Sequence, residues 1–291
     1  MSVPHKPTLA SLIQEGAERL SSVQGIENPR LEAETLAAHI LGISRMTLLA
    51  QLCHLAISDS DQERFLQFIE KRAAGEPIAY ITQQAQFLHH TLYVDPAVLI
   101  PRPDTELLFE TAASLFDPNQ GSWLDVGTGS GAIAIAAADR FPNAKIYATD
   151  ISAAALSVAH RNACNYPQIT FFQADLLQGL PLTEWKPYLV TANLPYLPSE
   201  DLSRLAPHVQ REPRLALDGG HDGLEIIRRF ISQASTVAIP VLALEIGDGQ
   251  DEPVLALMQT HNYQPIHRLS FLVGPTRVIT AAHSSSISIH G

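Results

Sequence analysis

The spacing of apolar positions changes twice along the chain. From residue 8 to about 75 it is helical: Leu9, Leu12, Ile13, Ala17 and Leu20 share one face, Ala33, Leu36, Ala37 and Ile40 continue a wide face with Leu31, Thr35 and Ala38, and Phe65, Leu66, Phe68 and Ile69 form a third. Asn28-Pro29 reads as a cap followed by a first-turn proline, Gly42 as a stop, Ser60-Asp61-Gln62-Glu63 as a capping box and Gly75 as a helix end. From Glu76 the period drops to two in Ile78-Ala79-Tyr80-Ile81, Phe87-Leu88 and Thr91-Leu92-Tyr93-Val94, which predicts the strands of a hairpin. Pro101 and Pro103 then fix an extended approach to a helix starting at Thr105-Glu106. Beyond it, short buried strands alternate with helices: strands over 123–126, 144–149, 169–172, 188–192 and 241–247, and two more near 264–269 and 278–281. The expected fold is α/β. A helical domain over 1–75 and a β-hairpin linker over 76–103 precede a Rossmann-like, doubly wound domain with a seven-stranded sheet over 104–291. The Ser/His/Ile tail after Ala282 is expected to be mobile.

The glycines after the first of those strands set the chemistry. Asp125 is followed by Gly127, Gly129 and Gly131 at alternate positions, and 132–138 reads as a buried helix start. Glycines at a strand–helix turn admit positive φ and let a ligand approach the main chain closely. A dinucleotide fingerprint would need its third glycine at position 132, where this chain has Ala. Asp150 ends the second strand, where it could accept both ribose hydroxyls of an adenosine, or cap the next helix, a role Ser152 can take itself. Asp175, at the end of the third strand, could accept an adenine amino group with Leu176 against the ring; the alternative is a turn aspartate.

The fourth strand ends in Asn193-Leu194-Pro195-Tyr196. A planar NH2 on an sp2 carbon is a weak nucleophile, and must be held in line with acceptors on its two hydrogens. The Asn193 side-chain oxygen and the Leu194 carbonyl, turned inward by Pro195, can be those acceptors, and Tyr196 offers a face for the substrate plane. Such a reaction calls for no metal and no dedicated base. The bland alternative is a strand-terminating turn, but ligands collect at the carboxyl ends of strands in such sheets.

Charge and composition narrow the partners. A formal net charge of -11 disfavours holding extended nucleic acid by its phosphates. Cys53 and Cys164 are far apart and lack CxxC spacing, so two buried thiols in a reducing cytosol are expected. The 12 histidines show neither HxxxH nor HExxH spacing, which leaves no metal candidate. There is no apolar run long enough for a membrane span and no export signal, so a cytoplasmic location is expected.

GxGxG after an acidic strand end resembles motif I of methyltransferases that use S-adenosylmethionine. Over essentially its whole length the chain resembles the bacterial release-factor glutamine methyltransferases. The resemblance is carried by Gly75-Glu76-Pro77 with Tyr80-Ile81, Ile100-Pro101-Arg102-Pro103-Asp104-Thr105-Glu106, the 125–131 turn, Asn193-Leu194-Pro195-Tyr196, Glu212-Pro213-Arg214 with Ala216-Leu217-Asp218-Gly219-Gly220, and Glu245-Ile246-Gly247. It implies methyl transfer from S-adenosylmethionine to the side-chain amide nitrogen of the glutamine in the Gly-Gly-Gln loop of class I release factors, by a monomeric enzyme. On that basis Gly127, Thr128, Gly129, Ser130, Gly131, Asp150, Asp175, Leu176 and Asn193 hold the cofactor, and Asn193, Leu194, Pro195 and Tyr196 the glutamine. Asn193, Pro195 and Tyr196 are the catalytic set; the helical domain is expected to recognise the protein substrate, the alternative being a plain stabilising cap. Three departures stand out. Leu194 replaces the usual first proline, Gln83 a usual linker glycine, and Ser270-Phe271 lacks the acidic residue that usually precedes the final Gly274-x-x-Arg277. Rival readings are an adenine-N6 methyltransferase acting on RNA or DNA, a ribosomal-protein glutamine methyltransferase, and a cofactor-binding module that only docks a partner.

Overall fold

The computed structural model describes residues 8–52, 54–270 and 274–286; Cys53, Phe271 and the end of the tail lie outside them. The chain divides into two compact units, one of Met1–Gln83 with Ala206–Arg211, the other of Gln84–Leu205 with Glu212–Gly291.

The first unit is built from α1 (Leu9–Ser21), α2 (Pro29–Leu41), α3 (Arg45–Gln51), α4 (Asp59–Ala73) and α5 (Ile78–Thr82). The Thr8 hydroxyl caps α1 by accepting the Ser11 N–H at 3.1 Å. Leu12, Ile13, Leu20, Leu36, Ala37, Phe65 and Ile69 meet in one apolar core. A Cβ on Gly16 would lie 2.9 Å from both Phe65 and Ile69, so α1 reaches α4 only because position 16 has no side chain. Glu34 is 4% exposed and would be costly there alone. Arg30 and Arg45 donate to it at 2.7 and 2.9 Å.

Three readings of this region change. Residues 78–81 are helix rather than strand, because Ile78, Ile81 and Thr82 fall on one turn; the Thr82 hydroxyl donates to the Ile78 carbonyl at 2.9 Å. Four residues of alternating bulk cannot separate the two periods. The cap of α4 is Ser58, two residues before the capping box, and its hydroxyl accepts the Asp61 N–H at 3.1 Å. Leu31 is exposed and Thr35 half-buried, so the inner face of α2 is narrower than its apolar spacing suggested. Gln83 ends α5 at φ 55, a left-handed conformation that favours glycine.

The second unit opens with a hairpin, β1 (Gln84–Phe87) and β2 (His90–Tyr93), and then α6 (Pro103–Leu115). Next come β3 (Ser122–Val126), α7 (Ala132–Arg140), β4 (Ile146–Asp150), α8 (Ala153–Asn162), β5 (Ile169–Gln173), the short α9 (Leu182–Trp185) and β6 (Pro187–Ala192). Three 3-10 turns precede α10 (Glu225–Thr236), β7 (Val241–Glu245), α11 (Asp251–Thr260), β8 (Tyr263–Ser270) and β9 (Thr276–His283). The seven-stranded sheet runs β5-β4-β3-β6-β7-β9-β8. Its first five strands are parallel; β9 is antiparallel to β7 and to β8.

The period of two sends alternate side chains of each central strand to opposite faces. Trp123, Leu189, Val241 and Ala243 enter one core with α6 and α7. Leu124, Val126, Val190, Ala192, Leu242 and Leu244 enter the other with α10 and α11. Both faces are therefore covered, which is why these strands read as continuous apolar runs. Cys164, expected to be buried, is exposed just past α8, because the apolar face of that helix is spent by Ala163.

Candidate active site

The strand order reverses between β3 and β6, and a cavity of about 290 Å³ opens at the carboxyl ends of β3, β4 and β6. Gly127 and Gly129 form its floor with φ of 73 and 55, conformations that side chains resist. Thr128, Ser130, Asp150, Asp175, Leu176, Asn193, Leu194 and Pro195 line it as well. Gly131 and Tyr196 do not. Gly131 turns the chain into α7 at φ 84, and a Cβ there would meet Ala159 of α8 at 3.2 Å, so its job is helix packing behind the turn.

Asp150 accepts the Gly129 N–H at 3.0 Å and the Ser152 N–H at 2.9 Å. Those bonds stabilise its charged form, while burial pushes its carboxyl up. It is not the cap of α8: Ser152 is, accepting the Ala155 N–H at 3.1 Å. Asp175 is gripped by Arg229 at 2.5 Å, and both line the cavity. The Asp175 carbonyl also accepts the Gln178 N–H at 3.1 Å, so Asp175 opens a turn at the cavity wall.

Sequence reasoning missed the role of Asp125. It is 1% exposed, and its Oδ1 accepts the Thr191 hydroxyl at 2.8 Å, which in turn accepts the Trp123 indole N–H at 3.0 Å. Burial pushes its carboxyl up to about 6. The Thr128 hydroxyl faces the Asp125 carboxylate, and its hydrogen bond opposes that rise. Both residues line the cavity.

Asn193 is held by a second network. Its Nδ2 donates to the Thr105 hydroxyl at 3.0 Å, and Thr105 donates to Glu245 Oε2 at 2.7 Å. While Glu245 is ionised the hydroxyl proton is committed to it, and Thr105 can only accept from Asn193. The amide is thereby fixed with Nδ2 toward Thr105, and Oδ1 takes no hydrogen bond among the described residues. The Tyr196 hydroxyl lies 3.5 Å from the other Glu245 oxygen. Thr105 and Glu245 belong to motifs visible in the sequence, but no spacing rule links residues 140 positions apart.

Neighbouring loops support this arrangement. Glu212 accepts the Ile100 N–H at 3.0 Å and pairs with Arg102, tying the proline-rich run to the loop after β6. A Cβ on Gly219 would stand 2.8 Å from both the Pro195 carbonyl and the Tyr196 Cα, so only glycine lets that loop back onto the tetrapeptide. Leu194 buries its side chain against Gly127, at 3.3 Å from where a Cβ would be, and its carbonyl accepts no hydrogen bond among the described residues.

A PrmC N-terminal domain model matches residues 11–82, and a methyltransferase domain model matches residues 124–212. A release factor glutamine methyltransferase of Moorella thermoacetica is 43% identical over 253 residues, which cover 85% of this chain and 88% of that protein. That of Coxiella burnetii is 36% identical over 270 residues, 91% of this chain and 95% of its own. The chain belongs to the release factor glutamine methyltransferase family. A solved structure, the hMettl16 catalytic domain in complex with MAT2A 3′UTR hairpin 6, superposes with a TM-score of 0.56 at 13% identity over 79% of this chain and 84% of that one. At that identity it speaks for the fold.

Membership makes the protein an S-adenosylmethionine-dependent methyltransferase, and the cavity fits that cofactor. The ligand is cationic at its sulfonium and ammonium groups. The lining supplies two carboxylates, the buried Asp125 and the half-buried Asp150.

Glu245 gives the site a pH signature. Burial pushes its carboxyl up from 4.5 to about 7, against the Thr105 hydrogen bond. The folded chain therefore holds this proton more tightly than the unfolded chain does. The stabilisation from this group is full below pH 4.5 and is lost as pH rises through about 7. Thermal melts across that window should show the melting temperature of wild type falling relative to that of Glu245→Gln. A difference that stays constant with pH would mean that Glu245 does not titrate there.

Proposed function

We propose that the chain transfers the methyl group of S-adenosylmethionine to the side-chain amide nitrogen, N5, of the glutamine in the Gly-Gly-Gln loop of class I release factors. The observation that carries this reading is the fixed amide of Asn193, with Oδ1 free at the wall of a cofactor-sized cavity. S-adenosylmethionine, when bound, supplies an electrophilic methyl on a good leaving group. Asn193 Oδ1 and the Leu194 carbonyl accept the two hydrogens of the substrate NH2. They hold its nitrogen in line with the methyl, at roughly 3 to 3.5 Å, and draw electron density onto it. Pro195 limits the turn so that both acceptors face inward, and Tyr196 stands beside them with its hydroxyl near Glu245. The proton leaves after the N–C bond forms, when the nitrogen has become acidic, so neither metal nor general base enters. Asp150, Asp175 and Leu176 hold the adenosine.

Mass spectrometry of release-factor peptides after incubation with enzyme and isotope-labelled cofactor tests the reading. Label on the glutamine of the Gly-Gly-Gln peptide is expected. Label confined to other residues, or found only on added RNA or DNA, would reject it. The net charge of -11 weighs against nucleic acid as the substrate.

Residues 1–75 are proposed to recognise the release factor rather than the cofactor, in a cytoplasmic, monomeric enzyme. Met46 and Leu49 of α3 are 74% and 39% exposed, unusual for large apolar groups on one short helix. Met46→Asp with Leu49→Asp should lower kcat/KM on an intact release factor by roughly 10-fold or more, as loss of apolar anchors does. The same variant should bind cofactor normally and methylate a short Gly-Gly-Gln peptide at the wild-type rate. An unchanged kcat/KM on the intact factor would remove this face from recognition.

A further inference from the structure

The hairpin carries two adjacent histidines, His89 in its turn and His90 at the start of β2, that methyl transfer does not use. His89 Nε2 lies 3.0 Å from Asp139 Oδ2, in the last turn of α7, and His90 Nε2 lies 4.0 Å from the same oxygen. The two imidazole rings are 4.0 Å apart between centroids, and the three donor atoms all lie within 4.8 Å of one another. A surface ion pair would account for His89, whose side chain is 71% exposed. It does not account for His90, whose side chain is 11% exposed and whose Nε2 is buried without a hydrogen-bond partner among the described residues. A buried imidazole nitrogen has lost its water and needs something in return.

The surroundings are organised around those atoms. The Tyr166 hydroxyl donates to Asp139 Oδ1 at 3.3 Å, which leaves Oδ2 turned toward the histidines, and the Tyr166 ring meets His90 edge-on at 6.1 Å. Carboxylate ligands of metals are commonly held by such a second hydrogen bond. The hairpin backbone is fixed too. The Leu88 N–H is accepted by Glu106 at 2.8 Å, and Asn162 clamps the N–H and carbonyl of Tyr93 at 2.8 and 2.9 Å.

We propose that His89 Nε2, His90 Nε2 and Asp139 Oδ2 bind a divalent transition-metal ion of the zinc class, with water completing its coordination. Two imidazoles and one carboxylate suit Zn²⁺, Ni²⁺ or Cu²⁺, whereas Ca²⁺ and Mg²⁺ take oxygen ligands. A tetrahedral ion with bonds of about 2.0 to 2.1 Å wants its donors about 3.4 Å apart. The His89–Asp139 distance is already shorter than that, and the His90–Asp139 distance closes by rotation of an Asp139 side chain that is 41% exposed. Bound there, the ion ties the hairpin tip to α7, the helix that begins at the glycine turn.

The test uses the untagged full chain with Zn²⁺, titrated against a chromophoric chelator, and with Co²⁺ read by its visible absorption. Wild type is expected to take up Zn²⁺ saturably and to give Co²⁺ bands of imidazole coordination. His89→Gln and Asp139→Asn, both at exposed positions, should each weaken Zn²⁺ by at least about 10- to 100-fold, the loss seen when even a supporting group of a metal site is removed. Zn²⁺ should raise the melting temperature of wild type more than that of either variant. His90→Gln is the third arm, read against its own melt in chelator. Equal Zn²⁺ affinity in wild type, His89→Gln and Asp139→Asn would overturn the proposal and assign the uptake to other histidines of the 12 in the chain.

Discussion

Asn193→Ala is expected to lower kcat by roughly two to three orders of magnitude, the loss that follows removal of one preorganised polar group from an active site, while cofactor affinity stays close to wild type. The substitution leaves the Leu194 carbonyl as the sole acceptor for the substrate NH2, and the nitrogen is then free to turn away from the methyl. Cofactor calorimetry and single-turnover methylation of a Gly-Gly-Gln peptide separate the two effects. A variant with wild-type turnover would show that Asn193 does not orient the amide. Asn193→Asp, the milder change by size, meets an obstacle that only the network reveals. Thr105 has one hydroxyl proton, at present donated to Glu245 at 2.7 Å, and it cannot serve two carboxylates. One of the pair must take up a proton, so the Asp variant is expected to shift to higher pH the titration that Glu245, at about 7, gives the wild-type site.

Asp150→Ala is expected to cost about 1.5 to 3 kcal/mol of cofactor affinity, roughly 10- to 100-fold, through loss of a charge-assisted acceptor for the ribose hydroxyls. Part of that loss comes through the glycine turn, because Asp150 also holds the Gly129 N–H at 3.0 Å. Asp150→Asn separates the two contributions: its remaining carbonyl oxygen can still accept from Gly129, so it should fall between wild type and Ala. Isothermal titration with S-adenosylhomocysteine measures all three. An Ala variant that keeps its melting temperature and binds as wild type does would take Asp150 out of the site.

Local signals in the sequence determined a good deal. Near-continuous apolar runs in β3, β6 and β7 specified central strands covered on both faces, and the glycines at 127 and 129 specified a turn with positive φ. The polar groups at strand ends, Asp150, Asp175 and Asn193, were legible because the carboxyl ends of parallel strands are where such a sheet opens. Where two periods fit equally well the sequence was silent, and Ile78–Thr82 became a helix because a turn there buries Tyr80 and Ile81.

What only the tertiary structure decided are the partners of those groups. Thr105 on α6 and Glu245 on β7 are brought to Asn193 on the loop after β6 by parallel strand pairing and helix packing. The direction of the Asn193 amide is then settled by which atom of the chain already owns the Thr105 proton. Asp125 was legible only as the acidic end of the strand before the glycines; β6 brings Thr191 to one of its oxygens, and the turn brings the Thr128 hydroxyl to the carboxylate as well. His89, His90 and Asp139 share no spacing that a sequence rule could detect, and they meet because the hairpin folds over the end of α7. Hydrogen bonds and coordination act over about 3 Å, while chain separation says nothing about distance in space. Residue type could therefore name the candidates, and only the fold could say which atoms of each were already taken and which were left for a ligand.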